Sequence, residues 1–287
     1  MSPPGEAPEG LLLLDKPRGV TSHDVVDQVR TALGTRKVGH AGTLDPMATG
    51  LLLVGVGRAT RLLRFLSGLD KAYEGTFRLG VETDTLDAEG EVIHTAPVTV
   101  GEPEVRAAMA ALVGEVSQRP PAYSAVKVGG RKLYEAARRG EALEAEPRRI
   151  RVQAFELLGF DGRDVRFRAV VSSGTYVRVL AADVGAALGC GAHLTELVRT
   201  RIGPYGLEDA TAPGSPGSPL SLDRAVAHLP RLELEAEEAR VARHGSILGP
   251  AGIAGPYTVV DPRGELIGVY EDDGPKARPV VVLAPSS

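Results

Sequence analysis

The feature that constrains this chain most is a glycine-bracketed loop, residues 39–50, which runs directly into the apolar segment 51–56. A short apolar segment of this kind predicts a buried strand. Asp45 precedes Pro46, which biases the backbone of Asp45 toward extended or turn geometry, while the glycines permit conformations that a Cβ would block. A carboxylate held on a loop against a rigid strand is suited to catalysis. The alternative is a turn aspartate that bonds to its own backbone.

Length and cysteine content limit the class of protein. The 287 residues allow one large domain or two unequal ones, with enough chain for a sizeable core. The only cysteine is Cys190, so no intrachain disulfide can form, which fits a reducing cytoplasm. Neither a membrane-length apolar run nor a secretory signal pattern is present in the sequence. We therefore expect a globular cytoplasmic protein that begins with a disordered tail, residues 1–10.

The net charge and the distribution of charge along the chain lead to different expectations about nucleic-acid binding. The formal net charge of -4 argues against a nucleic-acid binder when the chain is taken as a whole. However, basic residues concentrate in 16–78 and 127–151, whereas acidic residues concentrate in 82–91 and 233–238. The field at a groove depends on charges within about 10 Å, so phosphate binding is possible if the basic segments share one face. The alternative is that they are solvated helix faces.

Hydrophobic periodicity and end signals predict the main elements. Strands are predicted at 11–14, 51–56, 71–79, 148–158, 164–171 and 191–197. Helices are predicted at 21–33, 60–66, 103–112, 131–139, 179–188 and 222–229. The acid-rich segment 82–91 is predicted to be an exposed loop or hairpin. Three further short strands, at 257–260, 266–270 and 280–283, indicate a small all-β appendage, so we divide the chain into domains at 11–228 and 229–287.

A second site-like segment, residues 172–178, is predicted to lie at a strand-to-helix junction. It places Arg178 in the first turn of a helix. If Arg178 is buried, it needs a carboxylate partner, because an unpaired interior charge is very costly. Asp45 is a candidate for that partner.

Three other features of the sequence bear on function: Tyr73, Lys16 and a Ser-x-x-Lys pattern. Tyr73 shares a strand face with Phe77, which is typical of a core, although an aromatic ring lining a groove can stack on a base. Lys16 follows the first strand, where it could hold a phosphate or extend into solvent. Ser124 and Lys127 form a Ser-x-x-Lys pattern, but the other elements of serine acyltransferases are missing from the sequence, which disfavours that chemistry.

Five motifs, taken in chain order, resemble the TruB family of tRNA pseudouridine synthases. They are LDKPRGVTSHD at 14–24, GHAGTLDPMATG at 39–50, KAY at 71–73, YSAVK at 123–127 and GTYVR at 174–178. The resemblance extends from about residue 10 to residue 205. The tail from about residue 229 resembles the small PUA-like RNA-binding domain that often ends chains of this family.

The resemblance implies a fold, an activity and a set of partners. The implied fold is α+β, the pseudouridine synthase fold, with a central, mostly antiparallel mixed sheet flanked by helices. The implied reaction converts uridine 55 in the T-loop of tRNA to pseudouridine, after the nucleotide has flipped out of the stack. The family needs no metal and no organic cofactor. We expect a monomer that binds tRNA without an obligatory protein partner and without a membrane.

The same resemblance assigns roles to individual residues. It makes Asp45 the nucleophile, which is ionised at neutral pH because the reference pKa of aspartate is roughly 3.9. Arg178 pairs with Asp45, and Tyr73 stacks on the target base. His40, Tyr176 and Leu197 line the nucleotide pocket, while Lys16 and the basic segment 131–139 are candidate phosphate partners. A non-enzymatic RNA-binding module is the alternative hypothesis, based on the basic segments and the β-rich tail.

Overall fold

The computed structural model describes residues 8–141 and 143–283. Residues 1–7 of the predicted tail lie outside that part of the chain. The ordered structure begins before the predicted boundary, because Glu9 forms an ion pair with Arg58 and Gly10 opens the first strand. The predicted tail is therefore too long at its C-terminal end.

Short strands dominate the described part of the chain. They are β1 Gly10–Lys16, β2 Val38–His40, β3 Thr49–Val56, β4 Lys71–Leu79, β5 Val81–Thr83, β6 Val92–Thr95, β7 Gly114–Gln118, β8 Lys127–Val128, β9 Arg131–Lys132, β10 Arg148–Phe160, β11 Asp164–Val171, β12 Ala192–Ile202, β13 Tyr205–Gly206, β14 Arg231–Glu233, β15 Tyr257–Val260, β16 Leu266–Asp273 and β17 Lys276–Val282. The helices are α1 Ser22–Leu33, α2 Leu63–Ser67, α3 Glu102–Ala111, α4 Leu133–Ala137, α5 Val177–Ala187, α6 Leu222–Ala225 and α7 Ala236–Ala242.

A mixed sheet organises the N-terminal part of the chain. Its strand order is β1-β3-β12-β4-β11-β10-β7, with β2 added to β3 and β13 added to β12. Every pairing along this path is antiparallel except that of β12 with β3, which is parallel. The predicted α+β fold with a mostly antiparallel mixed sheet is thereby confirmed. The parallel pair matters for the site, because it places Arg199 opposite Gly50, the last residue of the glycine-bracketed loop.

The main core lies on one face of this sheet. Tyr73, Phe77 and Phe167 project from β4 and β11 into a cluster that includes side chains of α3 and α5. Burying an aromatic or aliphatic side chain of this size contributes about 1.5–3 kcal/mol relative to leaving it exposed. A second cluster packs α1 against β1 and β3. This packing fixes β3, β4 and α5, the elements that carry or flank the candidate site residues.

The C-terminal strands β14–β17 form a separate four-stranded sheet. Its side chains Val269 and Val281 share a hydrophobic cluster with Leu11, Leu13 and Ile202 of the N-terminal sheet. The expected all-β appendage is confirmed as β-rich, but α7 packs within it. The missed helix is only seven residues long and acid-rich at its start, which gives a weak periodic signal. The C-terminal sheet thus shares a hydrophobic cluster with β1 and β12 of the N-terminal sheet.

The predicted basic helix over 131–139 is partly wrong. Gly129 and Gly130 adopt φ values of 58° and 83°, which make a tight turn between the short strands β8 and β9. The helix α4 therefore begins only at Leu133 and ends at Ala137. The left-handed backbone at the glycine pair converts the first residues of the predicted helix into the second strand of a hairpin. The basic side chains consequently lie on a hairpin and a short helix.

No helix of the described residues combines the length and the apolar character that a membrane crossing requires. Within the same part of the chain, no three His, Cys, Asp or Glu side chains are grouped in a way that could hold a metal ion.

Candidate active site

Asp45 lies on the loop between β2 and β3, and its neighbours in sequence are held by buried side chains. The Ser22 hydroxyl accepts a hydrogen bond from the Leu44 N–H at 2.9 Å and donates to the Leu44 carbonyl at 3.2 Å. The Pro46 carbonyl accepts from the Lys16 ammonium at 3.3 Å. The Asp45 side chain itself remains 43% exposed. The backbone is therefore fixed while the carboxylate stays accessible.

Lys16 lies in the interior of the protein, whereas the sequence analysis predicted that it holds a phosphate or extends into solvent. It is fully buried, and its ammonium donates to the carbonyls of Pro17 at 2.9 Å, Val20 at 2.7 Å and Pro46 at 3.3 Å. Burial lowers the pKa of Lys16, and the nearby charge of Asp45 opposes that shift. All three ammonium hydrogens thus have carbonyl acceptors. This geometry does not support the prediction that Lys16 binds a phosphate of the substrate.

Arg178 lies in the first turn of α5 and contacts Asp45, the residue proposed as its partner. The distance between Arg178 Nη2 and Asp45 Oδ2 is 3.5 Å, and the Arg178 side chain is 6% exposed. The guanidinium also donates to the carbonyls of Thr85 at 3.2 Å and Tyr123 at 2.6 Å. The structure therefore brings together two site residues that are far apart in sequence. A buried cation at this distance restricts the orientation of the accessible carboxylate.

A second carboxylate, which the sequence analysis missed, binds the same guanidinium. Asp87 Oδ2 lies 3.0 Å from Arg178 Nη1, and Asp87 is only 3% exposed. Its other oxygen accepts hydrogen bonds from the Thr85 hydroxyl at 2.6 Å and the Glu89 N–H at 3.1 Å. Within an acid-rich segment predicted to be exposed, no local signal separates the one buried aspartate from its solvated neighbours. The segment does form the predicted hairpin, β5–β6, but Asp87 points inward from its turn region.

Glu89 adds a third acidic group near the site. Burial raises its pKa, and the negative charges of Asp87 and Asp45 raise it further, while Arg18 and Lys16 act in the opposite direction. The site therefore contains three acidic groups that interact with one another and with nearby cations. Arg178 contacts two of them directly.

Tyr73 and Leu197 belong to the core that the Asp45 loop also enters. Tyr73 belongs to the same buried cluster as Leu44 and Met47 of that loop, and Leu197 packs against the cluster while remaining partly buried. On the sheet, Leu197 lies opposite Gly75, two residues after Tyr73 on β4. The structure thus places Tyr73, which is 6% exposed, and Leu197 in the core that side chains of the Asp45 loop also enter.

Tyr176 precedes α5, and two cations lie over its ring. The guanidinium carbons of Arg148 and Arg178 lie 5.0 Å and 5.8 Å from its ring centroid, within the range of cation–π attraction. The buried Gln118 side chain fixes the Tyr176 backbone, because it accepts from the N–H at 2.8 Å and donates to the carbonyl at 3.1 Å. Tyr176 is therefore held in place next to Arg178.

His40 ends β2 at the entrance to the loop, opposite Val54 of β3. Burial lowers the pKa of its imidazole, and the positive charge of Arg199 lowers it further. At neutral pH His40 is therefore predominantly uncharged.

The Ser-x-x-Lys pattern does not form an acyltransferase site. The Ser124 hydroxyl is buried and has no hydrogen-bond partner among the described residues, whereas Lys127 is exposed on β8. The preceding residue, Tyr123, instead contributes its carbonyl to Arg178. The segment therefore supports the Arg178 site and lacks the serine–lysine contact that would activate a nucleophile.

Comparison with protein families gives matches along most of the chain. The model of the N-terminal domain of TruB family pseudouridylate synthases matches residues 30–177. A model of the tRNA pseudouridylate synthase B C-terminal domain matches residues 178–212, and one of the tRNA pseudouridine synthase II C-terminus matches residues 229–284.

Individual relatives agree with these matches. The chain is 49% identical over 288 residues to tRNA pseudouridine synthase B of Mycobacterium sp. (strain KMS), with 97% of each chain covered. It is 48% identical over 276 residues to the protein of the same name from Aromatoleum aromaticum, covering 93% of this chain and 89% of the other.

Two solved structures have a fold similar to that of nearly the whole chain. In a crystal structure of the archaeal box H/ACA sRNP Nop10-Cbf5 complex, the matching chain has a TM-score of 0.70 and 28% identity, covering 96% of this chain and 85% of that chain. A structure of an H/ACA RNP bound to a substrate RNA containing 2'-deoxyuridine gives a TM-score of 0.70 and 27% identity, with 96% and 84% covered. Together with the family matches and the fold, these similarities show that the chain belongs to the TruB family of pseudouridylate synthases.

Proposed function

We propose that this protein isomerises uridine 55 in the T-loop of tRNA to pseudouridine, with Asp45 as the nucleophile. The observation that carries the proposal is the position of Asp45: an accessible carboxylate on a fixed loop, 3.5 Å from the buried guanidinium of Arg178. Family membership supplies the reaction class and the tRNA substrate. The C-terminal sheet, within residues 229–287, is proposed as an RNA-binding domain of a cytoplasmic enzyme that acts as a monomer.

The reaction requires a nucleophile that is already ionised. The bond between the ribose and the base nitrogen breaks, the base turns, and a bond forms between the ribose and a ring carbon. The hydrogen on that carbon leaves as a proton and the freed nitrogen takes one up, so there is no net oxidation or hydrolysis. Asp45 attacks a carbon of the nucleotide and is later released, so the carboxylate is regenerated. Arg178 lies 3.5 Å from this carboxylate and limits its orientation, and such pre-organisation lowers the barrier.

The target nucleotide must leave the RNA stack before Asp45 can reach it, which costs a few kcal/mol. Tyr73 is proposed to stack on the everted base, which can return about 1–3 kcal/mol. His40, Tyr176 and Leu197 would form the remaining walls of the pocket. Exposed cations of the β8–α4 region are proposed to contact tRNA phosphates; they are Lys127, Arg131, Arg138 and Arg139.

The test compares Asp45→Asn with the wild-type enzyme on an unmodified tRNA transcript. We expect Asp45→Asn to bind tRNA with a Kd within a few-fold of wild type but to form no pseudouridine under single-turnover conditions. Asp27→Asn, which removes an exposed carboxylate from α1, is the matched control and should retain the wild-type rate. Product formation by Asp45→Asn would exclude the nucleophile assignment, whereas a wild-type protein that binds tRNA and forms no product would favour the non-enzymatic RNA-binding hypothesis. Modification mapped to a different uridine would exclude the T-loop assignment.

A further inference from the structure

A fully buried arginine that the reaction scheme does not use lies beneath the Asp45 loop. Arg199 Nε donates to the Leu51 carbonyl at 2.7 Å. Its Nη1 donates to the Thr43 carbonyl at 3.3 Å, and its Nη2 donates to the Gly42 carbonyl at 3.3 Å. A single guanidinium therefore binds the chain both before and after Asp45.

The backbone of Arg199 also contacts the returning end of the loop. Gly50 pairs with Arg199 in the parallel ladder between β3 and β12, and it has a φ of 98°. A Cβ at Gly50 would lie 2.4 Å from the Arg199 carbonyl oxygen. Only glycine allows β3 to approach β12 this closely. Backbone and side chain of the same residue thus hold this end of the loop.

Arg199 is a costly residue for a purely structural role. Among the described residues no carboxylate lies within 4.0 Å of its guanidinium, so its partners are neutral carbonyls. A second buried cation, Lys71, is close by: a Cβ added to Gly42 would lie 3.7 Å from Lys71 Cε and 4.0 Å from Arg199 Nη1. Apolar side chains usually fill such space at lower free-energy cost than buried charges. A planar guanidinium, however, can hold three carbonyls at fixed angles, which an apolar side chain cannot do.

Each buried side chain around the loop holds a different part of it. Ser22 binds Leu44, Lys16 binds Pro46, and Arg199 binds both ends. We propose that Arg199 is a positioning residue that sets the aim of the Asp45 carboxylate by fixing the two ends of its loop relative to each other. This inference rests on the proposed role of Asp45 as the nucleophile. Displacing a reacting group by about 1 Å can cost about 100-fold in rate, so the loss of the guanidinium fork should affect the chemical step.

The test uses Arg199→Lys, which keeps the positive charge and removes the fork. We expect its single-turnover rate at saturating enzyme to fall by about 10- to 100-fold, while the Kd for tRNA changes by less than about twofold. Arg201→Lys is the matched control, because Arg201 lies on the same strand but is exposed, and it should retain the wild-type rate. A merely structural role would lower the stability without this separation of rate from binding.

The outcomes distinguish this inference from the proposed function. If Asp45→Asn is inactive and Arg199→Lys reacts within about twofold of wild type, the nucleophile assignment stands and the positioning role is overturned. A rate loss matched by an equal loss of tRNA affinity also overturns it. If Asp45→Asn forms product, the proposed function has failed, whatever Arg199→Lys does.

A measurement on the wild-type enzyme covers the case in which Arg199→Lys does not fold. The Arg199 Nε–H, assigned in NMR spectra through its proximity to Leu51, should exchange with solvent far more slowly than exposed arginine Nε–H groups. Exchange as fast as that of exposed arginines would show that the bond to the Leu51 carbonyl does not hold the loop, and would overturn the proposal.

Discussion

Arg178 and Asp87 form a buried ion pair in which both side chains are almost fully removed from solvent, with 3.0 Å between Nη1 and Oδ2. The same guanidinium lies 3.5 Å from the far more exposed Asp45. Asp87 therefore supplies the charge that allows an arginine to be buried here, and it leaves one edge of the guanidinium to face Asp45. The site depends on a carboxylate that need not contact the substrate.

Asp87→Asn tests this dependence. The substitution keeps the shape of the side chain and leaves Arg178 without its buried counter-charge, which typically costs about 3–5 kcal/mol in the free energy of unfolding. We also expect the single-turnover rate to fall by at least about tenfold, because Arg178 is no longer held in one orientation toward Asp45. Urea unfolding and rapid-quench kinetics measure the two effects. Glu91→Gln, an exposed change in the same segment, is the control, and equal behaviour of the two variants would contradict the prediction.

Lys16→Met separates a structural lysine from a phosphate-binding one. We expect a loss of about 1–3 kcal/mol in the free energy of unfolding, because buried carbonyls lose their donor. The slope of log Kd for tRNA against log salt concentration should stay unchanged, since the hydrogen bonds that the structure describes for the buried ammonium all go to backbone carbonyls. Arg139 lies at an exposed position beyond α4. Arg139→Gln should reduce the magnitude of that slope by about one, which is the effect of losing one phosphate contact. A reduced slope for Lys16→Met would restore its predicted role in phosphate binding.

The sequence was sufficient to predict those elements whose signal lies within a few neighbouring residues. Hydrophobic periodicity predicted β4 and β11, and end signals predicted a helix over 21–33, where α1 begins with a reciprocal capping box between Thr21 and Asp24. The pairing of Asp45 with Arg178 was implied by the resemblance to the TruB family; the need of a buried arginine for a carboxylate made Asp45 a candidate but did not select it.

The sequence was insufficient to predict the role of a residue whose side chain binds a backbone group far away in the chain. Arg199 and Lys16 each bind carbonyls, and a carbonyl is present at every residue, so nothing in the sequence marks the acceptor. The role of Asp87 could not be predicted for a related reason: its burial follows from the way the β5–β6 segment folds onto β12. These three residues account for much of the support around Asp45, and only the tertiary structure reveals them.

Lys71 makes stability depend on pH. Burial, and after it the charge of Arg199, lowers the pKa of Lys71 from 10.5 to about 8. Between these two values the unfolded chain holds a proton that the folded chain has lost, so the free energy of unfolding should rise with pH in that window. Lys71→Met removes this contribution. The difference in stability between wild type and Lys71→Met should therefore shift in favour of wild type from pH 7.5 to about pH 9.5, as measured by urea unfolding, and a constant difference would contradict the assignment.

The hydroxyls of Thr21 and Ser22 are adjacent in sequence but have different partners. Substituting each in turn separates the support of the Asp45 loop from the stability of α1. The Thr21 hydroxyl caps α1 by accepting from the Asp24 N–H at 3.1 Å, whereas the buried Ser22 hydroxyl binds both polar backbone groups of Leu44. Thr21→Ala should cost about 1 kcal/mol in the free energy of unfolding, and Ser22→Ala about 1–3 kcal/mol, because it leaves buried partners unsatisfied.

The two variants should differ in catalysis even where their stabilities are similar. Leu44 immediately precedes Asp45, so loss of the Ser22 contact frees the backbone next to the carboxylate, and we expect the single-turnover rate to fall by about tenfold or more. The cap at Thr21 lies on α1 and makes no contact with the loop among the described hydrogen bonds, so Thr21→Ala should retain the wild-type rate at a temperature where both variants are folded. If the two substitutions slow the reaction equally, the rate follows general stability, and the Ser22–Leu44 contact does not aim Asp45.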